Sequence, residues 1–182
     1  MAMQESMLSG LSLIGDQIGE GAGAGFRAIN PGDGKELEPL FYPATAADID
    51  RAANLAESAF PAFAGLSGRD RAKLLRRIAD GLASEGAAIV ERAHLETGLP
   101  MPRLQGELGR TTGQLKLFAD LLEEGSWVNA RIDEADRERK PLPRPDIRSM
   151  LRPLGPVAVF GASNFPLAFS VAGGDTVSAL AS

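Results

Sequence analysis

The chain has 182 residues, 44% of them hydrophobic, with a formal net charge of −5. That is enough for one domain or a large piece of one, and the acidic balance argues against a nucleic-acid or anionic-membrane surface. With no cysteine and a single histidine, disulfides, thiolate metal sites and His-rich metal sites are excluded.

The first ten residues lack a basic start and a long apolar core, so they do not read as a secretory signal. No uninterrupted apolar run approaches the ~18 residues of a membrane span, and a soluble cytoplasmic protein is expected. Residues 11–37 read as β-structure with turns: Leu11 and Leu13, then Phe26 and Ala28, alternate with polar or small neighbours. Gly21-Ala22-Gly23-Ala24-Gly25 invites comparison with a phosphate loop, but the spacing is not G-x-G-x-x-G and no helix pattern follows. A hairpin turn is the reading preferred. Asn30-Pro31-Gly32-Asp33-Gly34 is a dense turn signal.

Thr45 and Asp48 have the spacing of a capping box, opening a helix with Ile49, Ala52, Ala53, Ala56, Phe60 and Phe63 as its core stripe. Pro61 is expected to end or kink it near Phe60. Ser67 and Asp70 open a second helix, with Leu74, Leu75, Ile78, Ala79 and Leu82 as its stripe. A third covers residues 87–97, closed by Gly98 as C-cap. The longest covers residues 103–124 and ends at Gly125. Its core face carries Leu104, Leu108, Thr111, Leu115, Phe118 and Leu122. A second line, Gly106, Arg110, Gly113, Leu117 and Leu121, lies about 100° around. Glycine costs a helix near 1 kcal/mol relative to alanine, so a close approach to that face is expected.

Val128, Ala130 and Ile132 alternate, as do Ile147, Ser149 and Leu151. The charged, proline-rich residues between them read as a solvated loop. Val157-Ala158-Val159-Phe160 is a short apolar run that suits a parallel strand covered on both faces. Gly161 permits a sharp turn, and Pro166 fits the first turn of a helix. Ligands of open α/β sheets bind at the carboxyl ends of strands, where Asn164 sits. From residue type alone, Asn164 is a helix cap or a fixed amide donor.

Asn164-Phe165-Pro166, set in the longer run from Gly155 to Ser178 that includes Gly173-Gly174-Asp175-Thr176, resembles the aldehyde dehydrogenase superfamily. Glu96-Thr97-Gly98 matches a further sequence common in that family. The run looks most like the branch acting on α-ketoglutaric semialdehyde (2,5-dioxovalerate). The resemblance covers most of the chain, from the Ile29-Asn30-Pro31 region onward.

It implies an α/β fold, the amino-terminal part of an aldehyde dehydrogenase: a helical layer, part of a Rossmann-like parallel sheet, and oligomerisation-arm strands. The divisions expected are residues 1–126, the first part of the NAD(P)-binding domain; 127–150, arm strands and a charged loop; and 151–182, the start of the cofactor-binding sheet. The implied activity is NAD- or NADP-dependent oxidation of a small-molecule aldehyde to a carboxylic acid by a homo-oligomer, a dimer or tetramer, with no nucleic-acid or membrane partner. The family's nucleophile is a cysteine and its general base a glutamate, both beyond the Asn-Phe-Pro segment. The resemblance therefore implies an amino-terminal fragment, inactive alone.

It also assigns roles. Asn164 would donate to the oxyanion, and Phe160, Gly161, Ala162 and Ser163 would lie beside the nicotinamide and its ribose. Many relatives have Pro-Trp where this chain has Ala162-Ser163, which alters the room available there. Phe165 and Phe169 are candidates for the substrate tunnel. Arg110 is a candidate clamp for a distal carboxylate, against the alternative of a surface ion pair. Glu96 and Glu107 read as solvated or ion-paired, and Asp175 as a helix feature. Two other readings stand beside this one. One is a non-catalytic module built on the same scaffold. The other is a serine hydrolase using Ser163 and His94, although Phe165 occupies the last glycine position of a nucleophile elbow.

Overall fold

A computed structural model describes residues 8–182. Most of the stretch read for a secretory signal, residues 1–7, therefore lies outside the described residues.

Two antiparallel hairpins open the fold: β1 (Leu13–Ile14) with β2 (Gln17–Ile18), and β3 (Phe26–Ile29) with β4 (Glu36–Phe41). Asn30–Gly34 turns the second hairpin. The Asn30 side chain accepts from the Gly32 amide at 2.8 Å, and the Asn30 carbonyl accepts from Gly34. Gly21–Gly25 is not a hairpin turn as expected but the connector between hairpins. Its preceding amides have an occupant from the chain itself. The buried Asp48 carboxylate accepts from Glu20 at 3.3 Å, Gly21 at 3.4 Å and Thr45 at 3.1 Å, and pairs with Arg51. Donors resembling an anion site thus close on an internal carboxylate.

Thr45 and Asp48 form the expected capping box of α1 (Ala46–Ala64). Pro61 does not end this helix. It lies in the last turn, and Glu57, whose carbonyl loses its usual donor, is exposed. The apolar stripe of α1 is not core either: Ile49 is 61% exposed, and Ala52, Ala53 and Ala56 are exposed too.

The core lies between α2 (Gly68–Ser84), α4 (Met101–Glu124) and α5 (Gly174–Ala181). Ala72, Leu75 and Ala79 of α2 meet Leu115, Ala119 and Leu122 of α4, and Val177 and Ala181 of α5. Small residues let the helices approach closely. A Cβ on Gly68 would fall 2.4 Å from the Leu122 carbonyl oxygen. Leu74, expected in this stripe, is 37% exposed. Arg76 ties α2 to α4 through Asp120 and Glu123, both at 2.7 Å. α3 (Gly86–Thr97) packs Val90 and Ala93 on Leu104, and Gly98 closes it with φ 67° and an N–H to the His94 carbonyl. The two glycines of the second line of α4 have no close neighbour among the described residues: a Cβ at Gly106 or Gly113 would meet nothing within 4 Å.

After α4, Val128 belongs to a 3-10 turn, Ser126–Val128, rather than to a strand. β5 (Arg131–Asp133) and β6 (Ile147–Ser149) then form an exposed antiparallel hairpin with a charged loop. Val157–Phe160 is extended but unpaired. Among the described residues every sheet is an antiparallel pair. The expected parallel strand has no ladder partner, and Phe160 is 86% exposed. No helix among the described residues is long and apolar enough to cross a membrane.

Candidate functional site

The expected helix at Phe165-Pro166 does not form. Residues 163–172 are turns and bends, with one isolated helical turn in which Phe169 N–H donates to the Phe165 carbonyl at 3.0 Å. The reason lies on α4. Arg103, Glu107 and Thr111, four residues apart, share one face and take the segment's backbone groups. The Glu107 carboxylate accepts the amides of Leu167 at 3.1 Å and Ala168 at 3.4 Å. Thr111 donates its hydroxyl to the Leu167 carbonyl at 2.7 Å. That carbonyl would otherwise serve a continuing helix. Arg103 donates to the Asn164 carbonyl at 2.7 Å and to Glu107 at 3.2 Å.

The aromatic rings complete the bracing. Phe165 and Phe169 meet edge to face with centroids 5.7 Å apart. The Arg103 guanidinium lies 5.2 Å from the Phe165 centroid, and that of Arg110 lies 4.9 Å from Phe169. Below, the Ala162 amide donates to the Phe169 carbonyl at 2.7 Å, and the Gly174 amide to the Ala168 carbonyl at 3.1 Å. The loop is thus tied to α4, to the preceding extended run and to α5.

Asn164 crowns this loop. It is exposed, and its carboxamide makes no hydrogen bond among the described residues. It caps no helix, since α5 begins only at Gly174. Its backbone is fixed while its side-chain donors remain available.

Arg110, Phe165, Phe169 and Asn164 are therefore brought together on one side of α4. Arg110 is exposed and forms no ion pair among the described residues, unlike the expected alternative. Phe160, Gly161, Ala162 and Ser163 run directly into the loop. Phe160 lines a groove of about 510 Å³ between the extended run and α5, together with Val157, Asp175 and Ser178. The Ala162 amide is consumed internally. What this stretch offers a ligand is an exposed ring face, small residues and the Ser163 hydroxyl. Those groups fit a flat heteroaromatic ring and a sugar.

Other candidates are committed elsewhere. His94 Nδ1 pairs with the Leu99 carbonyl at 2.7 Å. Asp175 sits in the first turn of α5, and Glu96 pairs with Arg92 at 2.6 Å. Glu107 takes the second of its two expected states. It is ion-paired but not solvated, at 6% exposure. Arg103, Glu107 and Thr111 were missed as site residues. The available signal was two polar side chains on the buried face of an otherwise apolar helix, which demand partners.

The aldehyde dehydrogenase family model matches residues 19–182. Over 175 residues the chain is 52% identical to α-ketoglutaric semialdehyde dehydrogenase 2 of Azospirillum brasilense, covering 96% of this chain and 33% of that protein. It is 53% identical over 154 residues to the α-ketoglutaric semialdehyde dehydrogenase of Acinetobacter baylyi, covering 85% and 29%. The chain therefore spans about a third of the length of the curated relatives it matches. Its fold is similar to that of aldehyde dehydrogenase 21 from Physcomitrella patens, solved with succinate (TM-score 0.71, 24% identity, 94% of this chain and 34% of that one).

Proposed function

Because the chain belongs to the aldehyde dehydrogenase family, we propose that it forms the amino-terminal part of an NAD(P)-dependent enzyme. That enzyme oxidises α-ketoglutaric semialdehyde, or a similar short acidic aldehyde, to the carboxylic acid. The single observation behind the site assignment is Asn164: an exposed carboxamide, unbonded among the described residues, on a loop whose backbone is tied to α4, to the preceding apolar run and to α5.

The oxygen of an aldehyde gains charge as a nucleophile adds to its carbon. A fixed donor binds that developing charge more tightly than the neutral carbonyl, which is the condition for acceleration. Asn164 offers an uncharged N–H that no pH change removes. The Arg110 guanidinium, resting on Phe169, holds the substrate's distal carboxylate by paired charge-assisted hydrogen bonds. Phe165 and Phe169 line the path between these two groups. Phe160, Gly161, Ala162 and Ser163 contact the nicotinamide end of NAD or NADP, which supplies the hydride acceptor when bound.

The chain has no cysteine, so the thiolate that this chemistry needs is not among the 182 residues. On this reading the piece alone is inactive. Residues 1–126, 127–150 and 151–182 then correspond to the first part of the cofactor domain, the arm and the start of the cofactor sheet. The exposed β5–β6 hairpin pairs subunits of a homo-oligomer. The other reading, a non-catalytic module on the same scaffold, predicts no aldehyde turnover by the full-length protein.

The test is steady-state kinetics of the full-length protein and its Asn164→Ala variant, with α-ketoglutaric semialdehyde and either cofactor. Loss of one such donor lowers kcat about 10²–10³-fold. An unchanged kcat removes the oxyanion role, and no turnover by the full-length protein favours the module.

A further inference from the structure

Glu107 buries a carboxylate directly beneath the loop that carries Asn164, with 6% of its surface exposed. Removing a carboxylate from water is costly, and replacing a buried ion pair by well-packed apolar groups is often neutral or stabilising. Packing alone therefore gives little reason for a charge at this position. What an apolar residue could not supply is geometry. One Glu107 oxygen accepts two successive amides, of Leu167 and Ala168, and so sets the orientation of that peptide. The other oxygen holds the Arg103 guanidinium, which itself grips the Asn164 carbonyl at 2.7 Å. Thr111 adds a third tether, at the Leu167 carbonyl.

We propose that Glu107 is a positioning residue: with Arg103 and Thr111 it aims the Asn164 carboxamide by clamping the backbone on both sides of Phe165-Pro166. Both Glu107 oxygens are engaged and the group lies under the loop, so it does not itself reach the substrate. The proposal rests on the reading of Asn164 as oxyanion donor and deepens it. A misplacement of about 1 Å in a catalytic group can cost on the order of 10²-fold in rate. An exposed asparagine has several staggered rotamers, so only a fixed backbone keeps its amide within such a tolerance.

The experiment is a double-mutant cycle in the full-length enzyme, with Asn164→Ala and Glu107→Ala alone and combined. Nicotinamide dinucleotide binding and thermal melting are measured in parallel. Glu107→Ala is expected to lower kcat about 10–100-fold while KM and dinucleotide binding stay within about twofold. In the Asn164→Ala background it should cost nothing further, because the group it aims is gone. Glu107→Gln keeps an acceptor for the two amides and should restore most of the rate. Thr111→Val, nearly isosteric, should lower kcat several-fold. These two variants carry the test if Glu107→Ala does not fold.

Equal losses in both backgrounds would overturn the proposal, because Glu107 would then act independently of Asn164. A loss in Asn164→Ala with none in the Glu107 and Thr111 variants would overturn it while leaving the oxyanion role intact. No loss in Asn164→Ala removes the oxyanion role and the proposal together.

Discussion

Replacing Arg110 by methionine separates recognition of a substrate carboxylate from mere surface charge. The guanidinium rests on the Phe169 ring, 4.9 Å from its centroid, and is otherwise exposed. Methionine keeps a flexible apolar stem and a favourable sulfur–aromatic contact, so the loop should keep its packing. What disappears is a paired hydrogen bond to a charged group, worth about 1.5–3 kcal/mol. Arg110 faces water on one side, which places the loss near the lower figure. At about 1.4 kcal/mol per tenfold, that is roughly a tenfold rise in KM. The assay compares α-ketoglutaric semialdehyde with a neutral aldehyde of equal chain length, using full-length wild type and variant. The expected result is KM raised about tenfold for the acid and within about twofold for the neutral aldehyde, with kcat preserved in both. Equal changes for the two substrates would refute the clamp and leave Arg110 as packing for Phe169.

Two further predictions concern stability. Leu115 is 1% exposed between α2 and α5, and Leu115→Ala should cost about 2–5 kcal/mol, read as a lower denaturation midpoint at unchanged slope. A loss under about 1 kcal/mol would mean that the helices close over the cavity. The Asp48 carboxyl is held below its ordinary value of 3.8, first by the Thr45 backbone amide and then by the Thr45 hydroxyl and the Glu20 and Gly21 amides, against burial. A lowered folded-state value means that the contribution is complete above the unfolded value and lost as pH falls through the folded one. The stability gap between wild type and Asp48→Asn should therefore shrink as pH is lowered from about 5 to below the ordinary aspartate value. A gap constant with pH would show that the carboxylate charge is not what ties the loop down.

Local chemistry was enough to read the helices, because their signals act within a few residues. Thr45 with Asp48 and Ser67 with Asp70 cap their helices as their spacing predicts. Gly98 and Gly125 end theirs because an αL residue closes the last turn. The core face of α4 followed from its period. Readings failed where a long-range partner decides the outcome. The stripe of α1 has helical spacing, yet periodicity identifies an apolar face without saying what covers it. The run at Val157 has strand composition, but a strand exists only with a neighbour to complete its ladder.

The amino-acid sequence by itself determined that Asn164 follows an apolar run and a glycine turn, that the chain lacks a thiol, and which family it resembles. Only the tertiary structure decided how Asn164 is held. Arg103 reaches its carbonyl across 61 positions of sequence, and Glu107 reaches the Leu167 amide across 60. Pro166 permits a helix start, and local propensity favours one. Yet a buried carboxylate that needs donors claims the amides of Leu167 and Ala168, and a threonine hydroxyl claims the Leu167 carbonyl. The energy of satisfying those buried polar groups exceeds the small preference for continuing a helix, so the segment becomes a braced loop with its carboxamide free.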